Sequence, residues 1–192
     1  MDGLGTFLEW RSTLNEAIQL YDAANQMLDS LEPKHSTDLI KVTLSKTHIW
    51  LAIFYRLSGQ TEKSHEMLER ADEIIEGIHK RLRNFEDLEI SEQELTQVRA
   101  FYALQHGHLQ INIKNARAES DYQQSLQLYQ SLGYQWESAV ALESLSMFAQ
   151  AIGDLDKAKN FIEESLTIRR QINDVRGLAI ALSTLSTILR FQ

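Results

Sequence analysis

Residues 143–170, ESLSMFAQAIGDLDKAKNFIEESLTIRR, decide how this chain folds. Small residues are set between large apolar ones at intervals of three and four, which is the spacing of one helix face. A Gly-Asp pair, Gly153 and Asp154, divides the stretch into two halves. Glycine readily ends a helix and aspartate caps the next one, so the stretch predicts two helices joined by a tight turn.

The same pattern recurs along the chain. AVALESLS at 139–146 aligns with AIALSTLS at 179–186, and SLQL at 125–128 aligns with SLTI at 165–168, both at an offset of 40 residues. A weaker copy begins at 49–74 and matches its later counterpart at an offset of 94. Recurrence at this length is typical of solenoids of stacked helix pairs, because one pair alone leaves an apolar face that its neighbours must cover.

The small residues have a packing reason. Two antiparallel helices approach to about 8–10 Å only where their side chains are small, and the large residues then fill the next groove. The small residues that align between the two copies are Ala52 with Ser146, Gly59 with Gly153, Ser64 with Ala158 and Ala71 with Ser165. With only 8 Gly and 1 Pro the chain has few turns, which also favours an all-helical fold.

The periodicity predicts eight helices. Their expected ranges are 5–31, 36–57, 61–83, 91–113, 115–131, 135–152, 155–171 and 174–190. Ser36 or Thr37 is expected to cap the second helix, and SEQE at 91–94 predicts a capping box at the start of the fourth. The least regular connection is 84–91, where we expect a longer loop or a bend.

These residues resemble the tetratricopeptide repeat (TPR). The matching signature is Leu145, Ser146, Gly153, Asp154, Ala158, Ile162, Ser165 and Leu166, with Leu51, Ala52, Tyr55, Gly59, Leu68 and Ala71 in the earlier copy. The period exceeds the usual one of about 34 residues and is similar to the degenerate repeats of bacterial multidomain signal-transduction ATPases and regulators. The resemblance implies an all-α, right-handed superhelical solenoid of about four antiparallel helix pairs. Both ends look like half repeats, so we expect a single domain over 1–192 that is a fragment of a longer protein.

The resemblance also implies a partner site. In this family the first helix of each pair lines an inner groove that holds an extended or helical peptide. Carried over to this chain, the groove positions are Lys46, Ile49, Ile53, Arg56, Val140, Glu143, Met147, Gln150, Ile180, Ser183, Thr187 and Arg190. Such a mixed set suits an amphipathic segment, with the apolar residues supplying most of the affinity.

Reactive chemistry finds little support in the sequence. Without cysteine there are no disulfides and no thiolate zinc sites, and neither a phosphate-binding loop nor a nucleophile elbow is present. The two histidines of HGH at 106–108 point in different directions on a helix, and the carboxylate runs at 86–89 and 163–164 are typical of solvated surfaces. We therefore expect no enzyme, no cofactor and no metal site.

Charge and hydropathy narrow the partners. A net charge of -8 disfavours nucleic acid or an anionic membrane, and the short basic clusters at 80–83 and 169–170 are interpreted as complements of helix dipoles. No apolar run is long enough to span a membrane and the first residues lack a signal-peptide pattern. We expect a cytoplasmic protein whose partner is another protein or a peptide.

Two functions remain open. The first is a non-catalytic interaction scaffold or docking region of a larger bacterial signalling or transcription regulator. The second is a ligand- or signal-peptide-sensing module that changes its curvature on binding. The last helix leaves little polar surface, which predicts self-association through it; its apolar residues are Ile180, Leu182, Leu185, Ile188, Leu189 and Phe191.

Overall fold

The computed structural model describes residues 14–31, 37–84, 88–111 and 116–191. These residues form eight helices: α1 (Leu14–Asp29), α2 (Asp38–Leu57), α3 (Thr61–Arg83), α4 (Glu92–Gln110), α5 (Ala116–Ser131), α6 (Gln135–Ile152), α7 (Leu155–Gln171) and α8 (Val175–Phe191). Within these ranges there is no strand, so the prediction of an all-α fold is confirmed. The parts of the predictions that lie outside the described residues are 5–13, Ser36, 85–87, 112–113 and Asn115.

The chain forms two compact units, Met1–Gln105 and His106–Gln192. In the first unit α2 packs against α1 and α3, and in the second α6 packs against α5 and α7, with α8 following on α7. Two or three residues join the helices of each pair from α5 onward, which makes neighbours in sequence antiparallel neighbours in space. This is the helix-pair arrangement of a TPR-like fold, whereas the expected single domain over 1–192 stays a prediction.

Two predicted glycine turns close helix pairs. Gly59 has a φ of 78° and Gly153 a φ of 84°, so both adopt the left-handed conformation that glycine reaches without a steric penalty. In the turn between α7 and α8 this conformation is taken by Asn173, at a φ of 55°. Asparagine is among the few other residues that tolerate it. The prediction that Gly59 and Gly153 end helices is confirmed.

The predicted caps are also present. The side chains of Thr37 and Asp154 accept the amide N–H three residues later, at 3.3 and 3.1 Å. At the start of α4 the amide of Glu94 donates to Ser91 Oγ at 3.1 Å, and the amide of Ser91 donates to Glu94 Oε2 at 2.9 Å. This is the reciprocal capping box, and the bonds from Ser91 hold the pKa of Glu94 below its usual value.

Small residues join the helices of each pair by a hydrogen bond. Across α2 and α3, Ser64 Oγ donates to the carbonyl of Ala52 at 2.8 Å; across α6 and α7, Ser146 Oγ donates to the carbonyl of Ala158, also at 2.8 Å. All four residues are at most 1% exposed. A hydroxyl reaches the neighbouring backbone only where the helices approach closely, so these residues both permit the approach and bond across it. We call this contact the Ser–Ala crossing.

Large side chains fill the space beside these crossings. In the first unit Phe54 packs edge-on to Tyr21, with ring centroids 5.4 Å apart, and stacks on Trp50 at 5.8 Å. In the second unit Tyr122 and Ile162, the large residues of the repeat signature, are fully buried. No helix in the described part of the chain is long and apolar enough to cross a membrane.

Candidate partner-binding surface

The predicted groove residues of the first unit lie mostly inside it. Every residue from Thr47 to Tyr55 is buried, so α2 is covered on all sides. Ile49 is 0% and Ile53 is 4% exposed, and neither is available to a partner. Only Lys46 and Arg56 of this set are half-buried. The sequence pattern missed this because a helix that is apolar all round offers no face that periodicity could mark as outward.

The second unit leaves its predicted residues more accessible. Met147 in α6 and Ile180 in α8 are 50% and 51% exposed. The remaining accessible positions are the half-buried Val140, Gln150 and Thr187 and the exposed Ser183 and Arg190. Both helices pack on α7, because Ala149 of α6 and Ile188 of α8 share one apolar cluster with α7 residues. Met147 and Ile180 therefore belong to two helices of one rigid core.

The last helix is less exposed than its sequence predicts. Ile188 is 0% exposed, and Leu185 is half-buried against α7. The other four apolar residues predicted to be free are exposed: Ile180, Leu182, Leu189 and Phe191. The prediction of an entirely apolar outer surface is therefore wrong for Leu185 and Ile188, which form the inner face of an amphipathic helix.

Glu143 is engaged inside the unit by a buried arginine. Arg169 donates from Nε to Glu143 Oε1 at 2.6 Å and from Nη2 to Glu143 Oε2 at 2.8 Å, and Ser165 Oγ adds a bond of 3.0 Å. Nη1 of Arg169 donates to Asp174. Such two-pronged pairing is the strongest form of ion pair, so Glu143 holds α6 to α7 and is a weak candidate for a partner contact.

The electrostatics of this ion cluster are consistent with its burial. Burial opposes the charge of Arg169, but the bonds and charges of Glu143 and Asp174 outweigh it, and the pKa of Arg169 is raised. The amide of Gly177 donates to Asp174 Oδ1 at 2.9 Å, which with Arg169 lowers the pKa of Asp174. A Cβ on Gly177 would overlap both Arg169 Nη1 and Asp174 Oδ2. Only glycine therefore lets α8 start against the cluster.

The sequence analysis missed this cluster because it treated residues 169–170 as one basic pair. Arg170 is exposed, whereas Arg169 is 3% exposed. The signal was present in the register, since the buried residues of α7 succeed one another at intervals of four, three and four: Ala158, Ile162, Ser165 and Arg169. A charged residue on a buried stripe needs a partner of opposite charge.

The two histidines of HGH reach different helices, as predicted. His106 Nδ1 lies 2.6 Å from Asp121 Oδ2 in α5, and His108 Nε2 lies 3.0 Å from Ser144 Oγ in α6. Their contacts are structural links between helices of the second unit. Among the residues that the structure describes, no three or more His, Asp or Glu side chains are grouped to hold a metal ion.

Comparison with known proteins agrees with this geometry. Residues 139–172, which cover most of the α6–α7 pair, match the model of the tetratricopeptide repeat. The fold is similar to that of BtubC (BKLC) from P. vanneervenii, with a TM-score of 0.66 and 21% identity over 97% of this chain and 69% of that one. A STAND signal-transduction ATPase with a tetratricopeptide repeat sensor from Pyrococcus horikoshii gives a TM-score of 0.45 and 16% identity, covering 97% of this chain and 31% of that one. No curated protein sequence is similar enough to match.

The chain is a TPR-like repeat protein. The matched repeat coincides with the pair that carries the glycine turn, the aspartate cap and a Ser–Ala crossing. Repeats of this kind generally mediate contacts between proteins, so the fold makes the chain an interaction or sensor module.

Proposed function

We propose that this chain is a non-catalytic docking module that holds an amphipathic peptide or helix of another protein on α6 and α8. The observation that supports the proposal is the exposure of Met147 and Ile180, 50% and 51%, at groove positions of two successive repeats. Large apolar side chains held half in water on a rigid scaffold are typical anchors for a partner.

The neighbouring residues define what the partner must offer. Val140 adds to the apolar area, and the polar positions are Gln150, Ser183, Thr187 and Arg190. A helix or extended segment with one apolar side and acidic or amide groups beside it satisfies this surface. Ile49 and Ile53 are left out because they are buried, and Glu143 is left out because Arg169 holds it.

The test is a double substitution, Met147→Asp with Ile180→Asp. Partners are first captured from the native host with the 192-residue chain as bait, and the affinity of a captured partner is then measured by calorimetry. The double variant should lose the partner while its circular dichroism stays helical. A matched control, Met27→Asp with Leu39→Asp, adds the same charge at two exposed apolar positions of the first unit and should bind normally. Unchanged affinity in the first variant would remove α6 and α8 as the site.

The wider setting is part of the same proposal. We place the module in the cytoplasm, as the docking region of a larger bacterial signalling or transcription regulator, with self-association through α8 as a second use of its surface. The alternative is a sensor that closes on a small ligand or signal peptide. A sensor's melting temperature would rise with ligand concentration, whereas a docking module responds to its protein partner.

A further inference from the structure

The last helix presents a regular apolar line to solvent. Its inner face, with Ala181 and Ile188 at 0% exposure, packs on α7. The outer line, which we call the α8 stripe, consists of Val175, Ala179, Leu182, Ser186 and Leu189, all of them exposed. They are spaced at intervals of four and three, so they lie along one side of the helix. Large and small residues alternate along the stripe.

The repeat shows how an equivalent line is covered elsewhere in the chain. At the offset of 40 residues, Leu182 and Ser186 correspond to Leu142 and Ser146 of α6. Those two residues are 0% exposed, and Ser146 donates across the interface to Ala158 of α7. Leu182 is 48% exposed. The α8 stripe therefore has the residues of a helix-packing face, and an equivalent face is buried by an antiparallel helix one repeat earlier.

The α8 stripe carries both halves of a Ser–Ala crossing. In α2–α3 the serine is on the second helix, and in α6–α7 it is on the first, so either helix can supply it. On α8, Ala179 and Ser186 stand on either side of Leu182. An antiparallel second α8 would bring Ser186 of each copy to Ala179 of the other, and Val175 to Leu189, about a two-fold axis near Leu182.

We propose that the α8 stripe is a self-association face, on which a second copy of this chain lays its own α8 antiparallel. The result is a closed, two-fold dimer rather than an open chain. The inference extends the proposed role in protein interaction but uses a different side of α8 from the docking surface. One helix pair of this length buries less than the roughly 1,200 Å² of a standard interface, so the dimer forms only at micromolar concentrations or above.

Charge separates this occupant from another one. α8 contains no carboxylate, and its arginines, Arg176 and Arg190, stand near its two ends. In the antiparallel dimer each approaches its counterpart on the other copy, a weak repulsion that salt screens. Self-association therefore stays constant or strengthens as salt rises. An acidic helix from a different protein would instead bind less tightly in high salt.

The first test measures association of the 192-residue chain by sedimentation velocity over a wide concentration range, at low and high salt. Wild type should shift from monomer to dimer, and Leu182→Asp should remain monomeric at the highest concentration, with unchanged circular dichroism. The Met147→Asp variant should still dimerise, because Met147 lies outside the stripe. Loss of partner binding with intact dimerisation thus separates the two proposals.

The second test uses the absence of cysteine from the chain. Leu182→Cys alone should cross-link into a disulfide dimer, because its two copies meet near the axis and disulfides need Cα atoms about 4.4–6.8 Å apart. Val175→Cys alone should not, since antiparallel copies hold this position roughly 20 Å apart. A mixture of Val175→Cys and Leu189→Cys chains should give mixed dimers.

Specific outcomes overturn the proposal. A wild-type chain that stays monomeric at every concentration would show that a second copy does not cover the stripe. Val175→Cys that cross-links to itself as fast as Leu182→Cys would mean parallel or unspecific contact. A monomeric chain that binds a synthetic peptide of residues 153–172 in a salt-sensitive manner would assign the stripe to another protein's helix, of the α7 kind.

Discussion

Lowering the pH from 7.5 to 5 should weaken the first unit through one side chain, His48. This histidine lies in the centre of α2 and is 2% exposed. Neither of its ring nitrogens has a hydrogen-bond partner among the described residues. Burial lowers its pKa from 6.5 to about 4; the charge of Asp29 acts against this shift and that of Arg70 adds to it. The folded unit therefore holds His48 neutral.

The direction of the effect follows from proton binding. Between pH 6.5 and about 4 the unfolded chain binds a proton at His48 that the folded chain excludes. The free energy of unfolding therefore falls as the pH falls through this window, and the stabilisation is fully present above it. The complete shift corresponds to roughly 3 kcal/mol, of which about 2 kcal/mol is already lost at pH 5.

The assay is urea unfolding at several pH values, followed by circular dichroism, for wild type and for His48→Leu. Leucine fills a similar space without a titrating group, so the variant removes the proton linkage and leaves the apolar contacts. The difference between the two proteins cancels the contribution of all other groups that titrate over the same range, including His79, whose pKa is also lowered by burial.

The pH dependence of that difference carries the result. Wild type should lose about 2 kcal/mol more than His48→Leu between pH 7.5 and 5. Equal losses in the two proteins would refute the reasoning, because they would mean that His48 binds its proton as readily in the folded chain as in the unfolded one. A larger loss in the variant would do the same.

Other substitutions test the contacts of the repeat. Gly177→Ala should destabilise the second unit by about 1–3 kcal/mol, because its Cβ overlaps the ion cluster, whereas Gly77→Ala, with no atom within 4 Å of the new Cβ, should stabilise α3 by about 0.5–1 kcal/mol. Equal melting temperatures for the two variants would contradict the overlap. Ser146→Ala should cost about 1 kcal/mol through loss of its crossing bond. Ser186→Ala, at the equivalent but exposed position, should leave the stability of the monomer unchanged in the same urea titration.

Local signals in the sequence were sufficient for the helices and their connections. Gly59 and Gly153 end helices, Asp154 caps one, and Ser91 and Glu94 form a capping box, because each of these depends on a few neighbouring residues. The repeat of small residues also predicted where helices approach. Close approach is a matter of side-chain volume, which can be read from the sequence alone.

The candidate site depended on information that is not local. Val140, Met147, Ile180 and Arg190 were placed on accessible surface correctly, but Ile49 and Ile53 were not. All of them occupy similar positions in their helices. Their exposure differs because α2 is surrounded by other helices whereas α6 and α8 keep one side open, and the sequence of a helix does not state how many neighbours it has.

The sequence by itself thus determined the helices, the turns and the places where two helices cross. The tertiary structure decided which apolar residues meet water and which charges meet each other. Leu182 and Ile188 are both aliphatic residues of one helix, yet they are 48% and 0% exposed. Arg169 is buried only because Glu143 and Asp174 come to it from separate parts of the chain. Backbone conformation is set by neighbours in sequence, whereas burial and ion pairing are set by neighbours in space.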